Sequence, residues 1–351
     1  MAARRMEAQK PPRSRRLRTF NLRKGAGKQD FSRSHMPLTA DNAFSWSFAR
    51  HVLFDECPRA YWFAYRGAWG GWDPAAPSRA RVLYTLKRLS TRQQWAGSHV
   101  HDAIAEVLLH RRDAMPELLR ATWVEETVSA MREEFRLSRA GAWRTDPVKH
   151  PGLYEHAYSL DVPPEAWAAE RDRVASCLEG FLSHGRFDFL RALPQSDLLA
   201  VEPKKASFEL PGGLVVRAIP DVVFRDAGGI AVWDWKSGGD AAVLARHRQQ
   251  LAVYALYVRE TFGAIPRAAA INPATDEAAE FAFTAEDLDE TAAWIVSDAE
   301  DILFPAEEAA AEGADEESAH DFTGDPAACA RCAFAAVCPK MRQTPPQEGT
   351  P

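Results

Sequence analysis

The residues best suited to chemistry lie on two apolar stretches, LVVRAIPDVVFRD and GIAVWDWKSG. The first places Asp221 mid-strand, and in the second Asp234 and Lys236 are two apart, so they project from one face of a strand. A buried Asp or Lys is costly without a partner, and a divalent cation such as Mg2+ or Mn2+ favours carboxylate oxygens. Such a cation offsets charge on a phosphate oxygen and lowers the pKa of a water molecule, which Lys236 can orient.

These three residues also permit a second interpretation. Asp234 and Lys236 would form a salt bridge at a strand end, and Asp221 would lie in a turn. Because an Asp-x-Lys tripeptide is common, the three residues alone leave both interpretations open.

The cysteines form a second group with chemical potential. Cys57 stands alone near the start, whereas Cys329, Cys332 and Cys338 fall within ten residues of a polar tail. Four thiolates suit either a cubane iron–sulfur cluster or a structural zinc ion, and spacing alone does not separate the two. Cys177 is interpreted as a buried free thiol.

Helices and strands must position these residues. Apolar periodicity predicts helices in several segments, and β-rich runs with glycine turns predict a meander of about three antiparallel strands from Leu198 to Gly238. A crossover helix, another strand, a hairpin return at EFAFT and a last helix follow, which indicates an α/β fold with a helical insertion. The predicted helices span about 44–69 (broken at Pro58), 91–113, 115–137, 164–191, 247–262 and 286–302, and the later strand spans 267–272.

The stretch around the two carboxylates resembles the PD-(D/E)xK nuclease superfamily. Pro220-Asp221 is followed after twelve residues by Asp234-Trp235-Lys236. Further motifs, in the same order, are similar to the RecB-like branch. They are a G-x-x-x-H helix ending at His101, an upstream acid at Glu202 that opens the first strand of the meander, and a Q-x-x-x-Y helix with Gln250 and Tyr254.

The cysteine pattern is also similar to that family. C-P-R-x-Y at Cys57 and C-x2-C-x5-C-P near the end resemble the iron–sulfur staple of AddB-type nucleases, which CRISPR-associated adaptation nucleases share. The resemblance therefore implies a [4Fe-4S] cluster held by Cys57, Cys329, Cys332 and Cys338.

The resemblance implies a restriction-endonuclease-like core, a central mixed β-sheet flanked by helices. It implies a DNA nuclease, an exonuclease on single strands or ends, in DNA repair, recombination or CRISPR adaptation. His101, Asp221 and Asp234 would hold Mg2+ or Mn2+, and Lys236 would activate the water. Gln250 and Tyr254 would place the substrate, and Glu202 would support or contact the metal. A helicase or CRISPR adaptation proteins are the implied partners. A helicase would supply any unwinding, because the sequence contains no helicase P-loop motif.

Two other hypotheses remain open from the sequence. One is an iron–sulfur DNA-binding module without cleavage activity, which the intact His101, Asp221, Asp234 and Lys236 disfavour. The other is a zinc-stapled protein of unrelated function.

The charge is unevenly distributed, although the net charge is only −6. Residues 1–36 contain eleven Lys and Arg and two acids, whereas residues 300–325 contain ten acids and no Lys or Arg. No apolar run approaches the roughly 18–20 residues of a membrane helix, and a cytoplasmic, nucleoid-associated location is expected. The predicted organisation is a disordered basic head (1–36), a nuclease core (37–305), an acidic linker (306–326), a cysteine-rich segment (327–340) and a disordered tail (341–351).

Overall fold

The computed structural model describes residues 43–111, 117–239 and 241–343, all within the unit Leu38–Pro351. The predicted basic head lies outside the described residues. So does the predicted tail, except for its first three residues, which end the last helix.

A mixed five-stranded sheet forms the centre of the fold, in the order β10-β9-β8-β7-β4. Strands β8 and β9 are parallel and the other neighbours are antiparallel, so helix α10 serves as the crossover between β8 and β9. The predicted α/β class is confirmed. The strands are β1 (Trp46–Ser47), β2 (Leu89–Ser90), β3 (Gly152–Leu153), β4 (Leu198–Val201), β5 (Ser207–Leu210), β6 (Leu214–Arg217), β7 (Val222–Asp226), β8 (Gly229–Trp235), β9 (Arg267–Asn272) and β10 (Glu277–Phe281).

Helices cover both faces of this sheet, and short π-helical turns (Phe63–Gly67, Val107–Arg111) extend α2 and α4. The helices are α1 (Phe48–Glu56), α2 (Pro58–Trp62), α3 (Ser78–Lys87), α4 (Arg92–Glu106), α5 (Glu117–Arg139), α6 (Tyr154–Ala157), α7 (Pro164–Ser183), α8 (Gly185–Ala192), α9 (Ala241–Leu244), α10 (Arg248–Phe262), α11 (Ala285–Glu312), α12 (Glu316–Ala319), α13 (Pro326–Ala330) and α14 (Pro339–Gln343).

The alternation of side chains along β8 divides the core in two. Ile230 and Val232 pack with α10 and α11 on one face of the sheet. Trp233 and Trp235 pack with α4, α5, α7 and α8 on the other. Asp234 shares the parity of Ile230 and Val232, as the sequence predicts, so it points toward the α10 side.

The predicted three-strand meander is wrong, because its first two runs each break into two strands. Strands β4 and β7 join the central sheet, whereas β5 and β6 form a smaller sheet with β1. The breaks fall near Pro203 and Pro220, and proline has no N–H group for a strand ladder.

These breaks correct two predicted positions. Asp221 is not mid-strand but immediately precedes β7, and Glu202 follows β4 rather than opening a strand. Both acids therefore lie at strand ends, where the backbone is free to turn a side chain into a shared site.

Most predicted helices are present with shifted ends. The last long helix, predicted to end near Ile302, runs through Pro305 to Glu312, so the start of the predicted acidic linker is helical. Alanine and glutamate are strong helix formers, which accounts for the extension. Helix α3 was not predicted, and the hairpin return lies at Glu277–Phe281, before most of EFAFT.

The cysteine-rich C-terminal segment packs against the N-terminal helices. Phe334 and Cys338 share an apolar cluster with Ala60, Phe63 and Leu83. The backbone N–H of Arg59 donates to Asp321 O at 3.0 Å, and Arg59 Nε donates to His320 O at 2.7 Å. Residues that are 261 positions apart in the sequence are thus brought together.

None of the helices in the described part of the chain combines the length and apolar character needed to cross a bilayer.

Candidate functional site

The pairing of β7 with β8 brings the two predicted carboxylates together. Val222 lies opposite Trp233, so Asp221 and Asp234 stand across from each other just beyond this pair. The backbone N–H of Trp235 donates to Asp221 Oδ2. Both carboxylates are buried, with relative exposures of 4% and 1%.

Helix α4 and the end of β4 supply two more groups. His101 Nδ1 lies 3.1 Å from Asp221 Oδ1 and 3.2 Å from Glu202 Oε1. One ligand atom from each of the three residues lies within 4.8 Å of the other two. Donors this close to one another can share one ion.

The backbone at Glu202 is strained. Its φ of +40° lies in the left-handed region, which costs a residue with a Cβ atom free energy. The backbone N–H of Glu202 donates to Asp221 O at 3.0 Å and holds this turn beside the start of β7. The strain therefore occurs where the carboxylate joins the cluster.

A chain of polar contacts leads from Asp234 to α10. Lys236 Nζ lies 2.6 Å from Asp234 Oδ2 and donates to Gln250 Oε1 at 3.0 Å. Gln250 Nε2 in turn donates to the Tyr254 hydroxyl oxygen at 2.9 Å. The spacing of Gln250 and Tyr254, at i and i+4, places both on one face of α10. The Asp234–Lys236 salt bridge of the second interpretation is thus present, and it lies within the larger cluster.

The protonation states follow from burial and from the neighbouring charges. Burial lowers the pKa of His101, but Asp221 and Glu202 outweigh it and raise that pKa to about 10. Burial raises the pKa of Asp221, against the attraction of His101. Burial, then Asp234 and Asp221, raise the pKa of Tyr254 well above 10, so its hydroxyl stays neutral.

The donor set fits a hard divalent cation. Carboxylate oxygens suit Mg2+ and Mn2+, and an added imidazole is a common ligand for several transition metals. In the structure, the imidazolium of His101 supplies the positive charge between Asp221 and Glu202. A bound cation would take over that role after His101 loses its proton.

The two neighbouring histidines of α4, His99 and His101, face different parts of the structure. The Nε2 atom of His99 lies 2.9 Å from Glu134 Oε2 on α5, so His99 faces away from the carboxylate cluster. A Cβ at Gly97 would lie 3.7 Å from Ser237 Oγ, an ordinary van der Waals contact, and Ser237 comes just after Lys236. Helix α4 thus approaches the segment that carries Lys236.

The four predicted cluster cysteines are also brought together. Cys57, Cys329, Cys332 and Cys338 line one cavity of about 300 Å³. Burial raises the pKa of Cys332 to about 11; a hydrogen bond with the backbone of Phe334 opposes this, and the three other thiols add to it. Cys177 lies elsewhere, fully buried in the core on the α4 side of the sheet.

Two tyrosines that the sequence reasoning missed hold the cysteine-rich segment in place. The hydroxyl of Tyr154 donates to Ala330 O and that of Tyr158 to Ala333 O, both at 2.7 Å. The backbone N–H of Ala336 donates to the Tyr158 oxygen at 3.2 Å. Their i, i+4 spacing was the available signal, since it places two polar-tipped rings on one side of a helical turn.

A mixed sheet that presents buried carboxylates and a lysine at its strand ends, with a histidine on the adjoining helix α4, is the arrangement of a metal-dependent hydrolase. The model of the PD-(D/E)XK nuclease superfamily matches residues 45–339, and the chain belongs to this superfamily. Membership indicates a nuclease with DNA as its substrate, and Mg2+ or Mn2+ is the typical cofactor. A comparison with curated proteins gave no match.

Proposed function

We propose that the protein is a metal-dependent DNA exonuclease that acts on single strands or DNA ends. The observation that carries this proposal is the approach of His101, Glu202 and Asp221 to within 4.8 Å beside the Asp234–Lys236 pair. The preference for single strands or ends rests on the resemblance to the RecB-like branch.

Each residue has a defined part in this proposal. His101, Asp221 and Asp234 hold the cation, and the position of Glu202 supports direct coordination by that carboxylate as well. When bound, the cation offsets charge on a phosphate oxygen and lowers the pKa of a water molecule. Lys236 orients that water or stabilises the negative charge that develops on the phosphate. Gln250 and Tyr254 hold the Lys236 ammonium in place through their hydrogen bonds.

A cleavage assay tests the activity. Single- and double-stranded DNA, labelled at the 5′ or the 3′ end, would be incubated with the full chain and Mn2+. We expect cleavage, with the label reporting polarity. Lys236→Met should reduce kcat by roughly 10²–10³-fold, because a positive group at the reacting phosphate is lost.

Asp234→Asn should behave similarly, whereas Lys205→Met, at an exposed lysine, serves as the matched control. Unchanged activity in Lys236→Met or Asp234→Asn would contradict the mechanism. Binding without cleavage by the unmodified chain would leave only a DNA-binding module.

We further propose that Cys57, Cys329, Cys332 and Cys338 hold a [4Fe-4S] cluster. Four thiolates around one cavity fit such a group. The resemblance of the cysteine pattern to the iron–sulfur staple of AddB-type nucleases favours a cluster over a single zinc ion. When bound, the cluster would cross-link the two ends of the folded chain.

Iron, sulfide and zinc analysis with a visible spectrum tests this site. Cys57→Ala should lose the absorbance and, because the closed loop spans 271 residues, destabilise the protein by up to about 5 kcal/mol. DNA binding should weaken before cleavage chemistry does. Full thermal stability with unchanged absorbance in Cys57→Ala, or zinc in place of iron, would refute the cluster.

A place in DNA repair, recombination or CRISPR adaptation, at the nucleoid, follows from the same resemblance. A helicase partner would supply the unwinding, since the sequence contains no P-loop motif.

A further inference from the structure

An exposed aromatic surface lies beside helix α3, outside the metal site and the cysteine cavity. Trp69 and Trp72 are 45% and 55% exposed, and their rings meet edge to face with centroids 4.9 Å apart. The ring of Tyr84 on α3 lies 6.0 Å from that of Trp72. Large aromatic side chains are seldom left in water without a reason, and three in contact form a patch.

The patch is built on a fixed backbone. A Cβ at Gly71, between the two tryptophans, would lie 2.3 Å from Ala80 O and 2.6 Å from Tyr84 Cβ. Only glycine therefore lets this turn lie directly against α3. The rings are held in place rather than carried on a loose loop.

The surroundings of the patch are basic. Helix α3 and the residue after it contain Arg79, Arg81, Lys87 and Arg88 and no acid; Lys87 lines the cysteine cavity, so the three arginines are the cations of this surface. Arg81 is exposed and makes no ion pair among the described residues, and Arg88 lies over the Tyr84 ring at 5.8 Å. Two nearby acids are already engaged: Glu317 pairs with Arg79 at 2.6 Å, and Asp73 accepts from the backbone N–H of Ala75 at 2.8 Å.

We propose that the surface formed by Trp69, Trp72, Tyr84, Arg81 and Arg88 binds single-stranded DNA outside the metal site. Aromatic faces stack on unpaired bases, and cations at the edge attract the phosphates. A duplex does not fit this chemistry, because its bases are already stacked on each other. Helix α3 leads through β2 into α4, which carries His101, so the surface and the metal site lie on consecutive helices.

This inference deepens the proposed function, because it assigns a docking surface to the same substrate. Its test is a binding measurement on the full chain with Ca2+ in place of Mn2+, using a fluorescent oligothymidylate of about 20 nucleotides. The double variant Trp69→Ala/Trp72→Ala should weaken binding about ten- to hundred-fold. Trp69→Phe/Trp72→Phe should stay within about threefold of the unmodified chain, because the rings remain.

Phe304→Ala is the matched control. Phe304 is 58% exposed, like the tryptophans, but lies in the acidic part of α11. It should leave binding unchanged. Arg81→Gln should lower the slope of log affinity against log salt by about 0.7, the share of one phosphate contact on a single strand.

The double alanine variant decides whether the patch binds DNA. An unchanged Kd for the oligonucleotide in that variant would overturn the inference. A change of oligomeric state in that variant, with no effect on DNA affinity, would overturn it too, since the patch would then be a protein contact. If the unmodified chain binds the oligonucleotide but cleaves nothing, the proposed function fails while this inference stands.

Discussion

At the residue scale, the metal site is a balance of buried charges. Asp221, Asp234 and Glu202 bring three carboxylates into a small volume, and among the described residues His101 and Lys236 are the cations that lie within salt-bridge distance of them. A buried carboxylate is costly unless it is paired, so each is placed against a cation. The excess of negative charge is what a divalent ion would offset, and binding would release the proton on His101.

Lys87, an exposed residue whose ammonium lies 4.2 Å from the centre of the Tyr65 ring, lines the cysteine cavity and allows a test there. Burial, with Arg50 and Arg88 nearby, lowers the pKa of Lys87 from its ordinary value of 10.5 to about 8. Below pH 8 Lys87 carries its proton in both the folded and the unfolded protein. The folded state is then destabilised, because its ammonium is partly removed from water. Between pH 8 and 10.5 the unfolded state binds more protons, so this destabilisation disappears as the pH rises.

Lys87→Met should therefore raise the Tm of the metal-free protein at pH 7. Thermal unfolding followed by circular dichroism should show this advantage shrinking from pH 8 to 10.5. An advantage that is independent of pH would mean that the gain comes from packing rather than from charge.

At the scale of elements, the helices and strands that were predicted correctly are those whose sequence signals are local. The strand Arg267–Asn272 and the helix ended by Gly263 were placed correctly, because apolar alternation and a left-handed glycine cap are local signals. The division of four short strands between two sheets was not predicted, since the sheet that a strand joins depends on its tertiary neighbours.

The candidate site also combines geometry that follows from local sequence with geometry that depends on tertiary packing. The shared face of Asp234 and Lys236 follows from the period of a strand. The approach of His101 to Asp221 does not, because α4 and β7 are 120 residues apart in sequence and meet only through core packing. The family resemblance placed His101, whereas Tyr154 and Tyr158 belonged to no motif and were missed.

Those two tyrosines support a prediction about the cysteine-rich segment. Tyr154→Phe/Tyr158→Phe leaves Ala330 O and Ala333 O without their donors, which should lower the free energy of unfolding by about 1–3 kcal/mol. The segment between Cys329 and Cys332 should loosen, and in the metal-free protein these thiols should react faster with a thiol reagent. Urea unfolding and thiol-labelling rates measure both effects.

Tyr257→Phe is the control for this pair, because Tyr257 is also a buried tyrosine but lies on α10. Labelling rates that are the same in the double variant and in this control would show that the tyrosines do not order the segment.

At the scale of the whole molecule, the metal site joins elements that are distant in the chain. The closely grouped ligand candidates come from α4 (His101), the end of β4 (Glu202) and the position before β7 (Asp221), and Asp234 on β8 lies beside this group. A cation that binds them binds the folded state alone. At about 100 times its Kd, Mn2+ should add about 2.7 kcal/mol to the stability and raise Tm by about 4 °C.

Differential scanning fluorimetry with increasing Mn2+ measures this shift. Asp221→Asn should abolish most of it, whereas Glu209→Gln, at an exposed acid on β5, should retain it. An equal shift in both variants would show that Mn2+ acts elsewhere on the chain.

The packing of the C-terminal segment on α2 and α3 also has a consequence for synthesis. Phe63 and Leu83 are covered by Phe334 and Cys338, about 250 residues later in the chain. At about 5–20 residues per second, the ribosome needs roughly 12–50 s to supply that cover. During this interval the apolar faces of the nascent helices stay uncovered, which makes them a substrate for chaperones. A message truncated before residue 334 would yield a chain that keeps this apolar surface uncovered, which exposes it to chaperones and proteases.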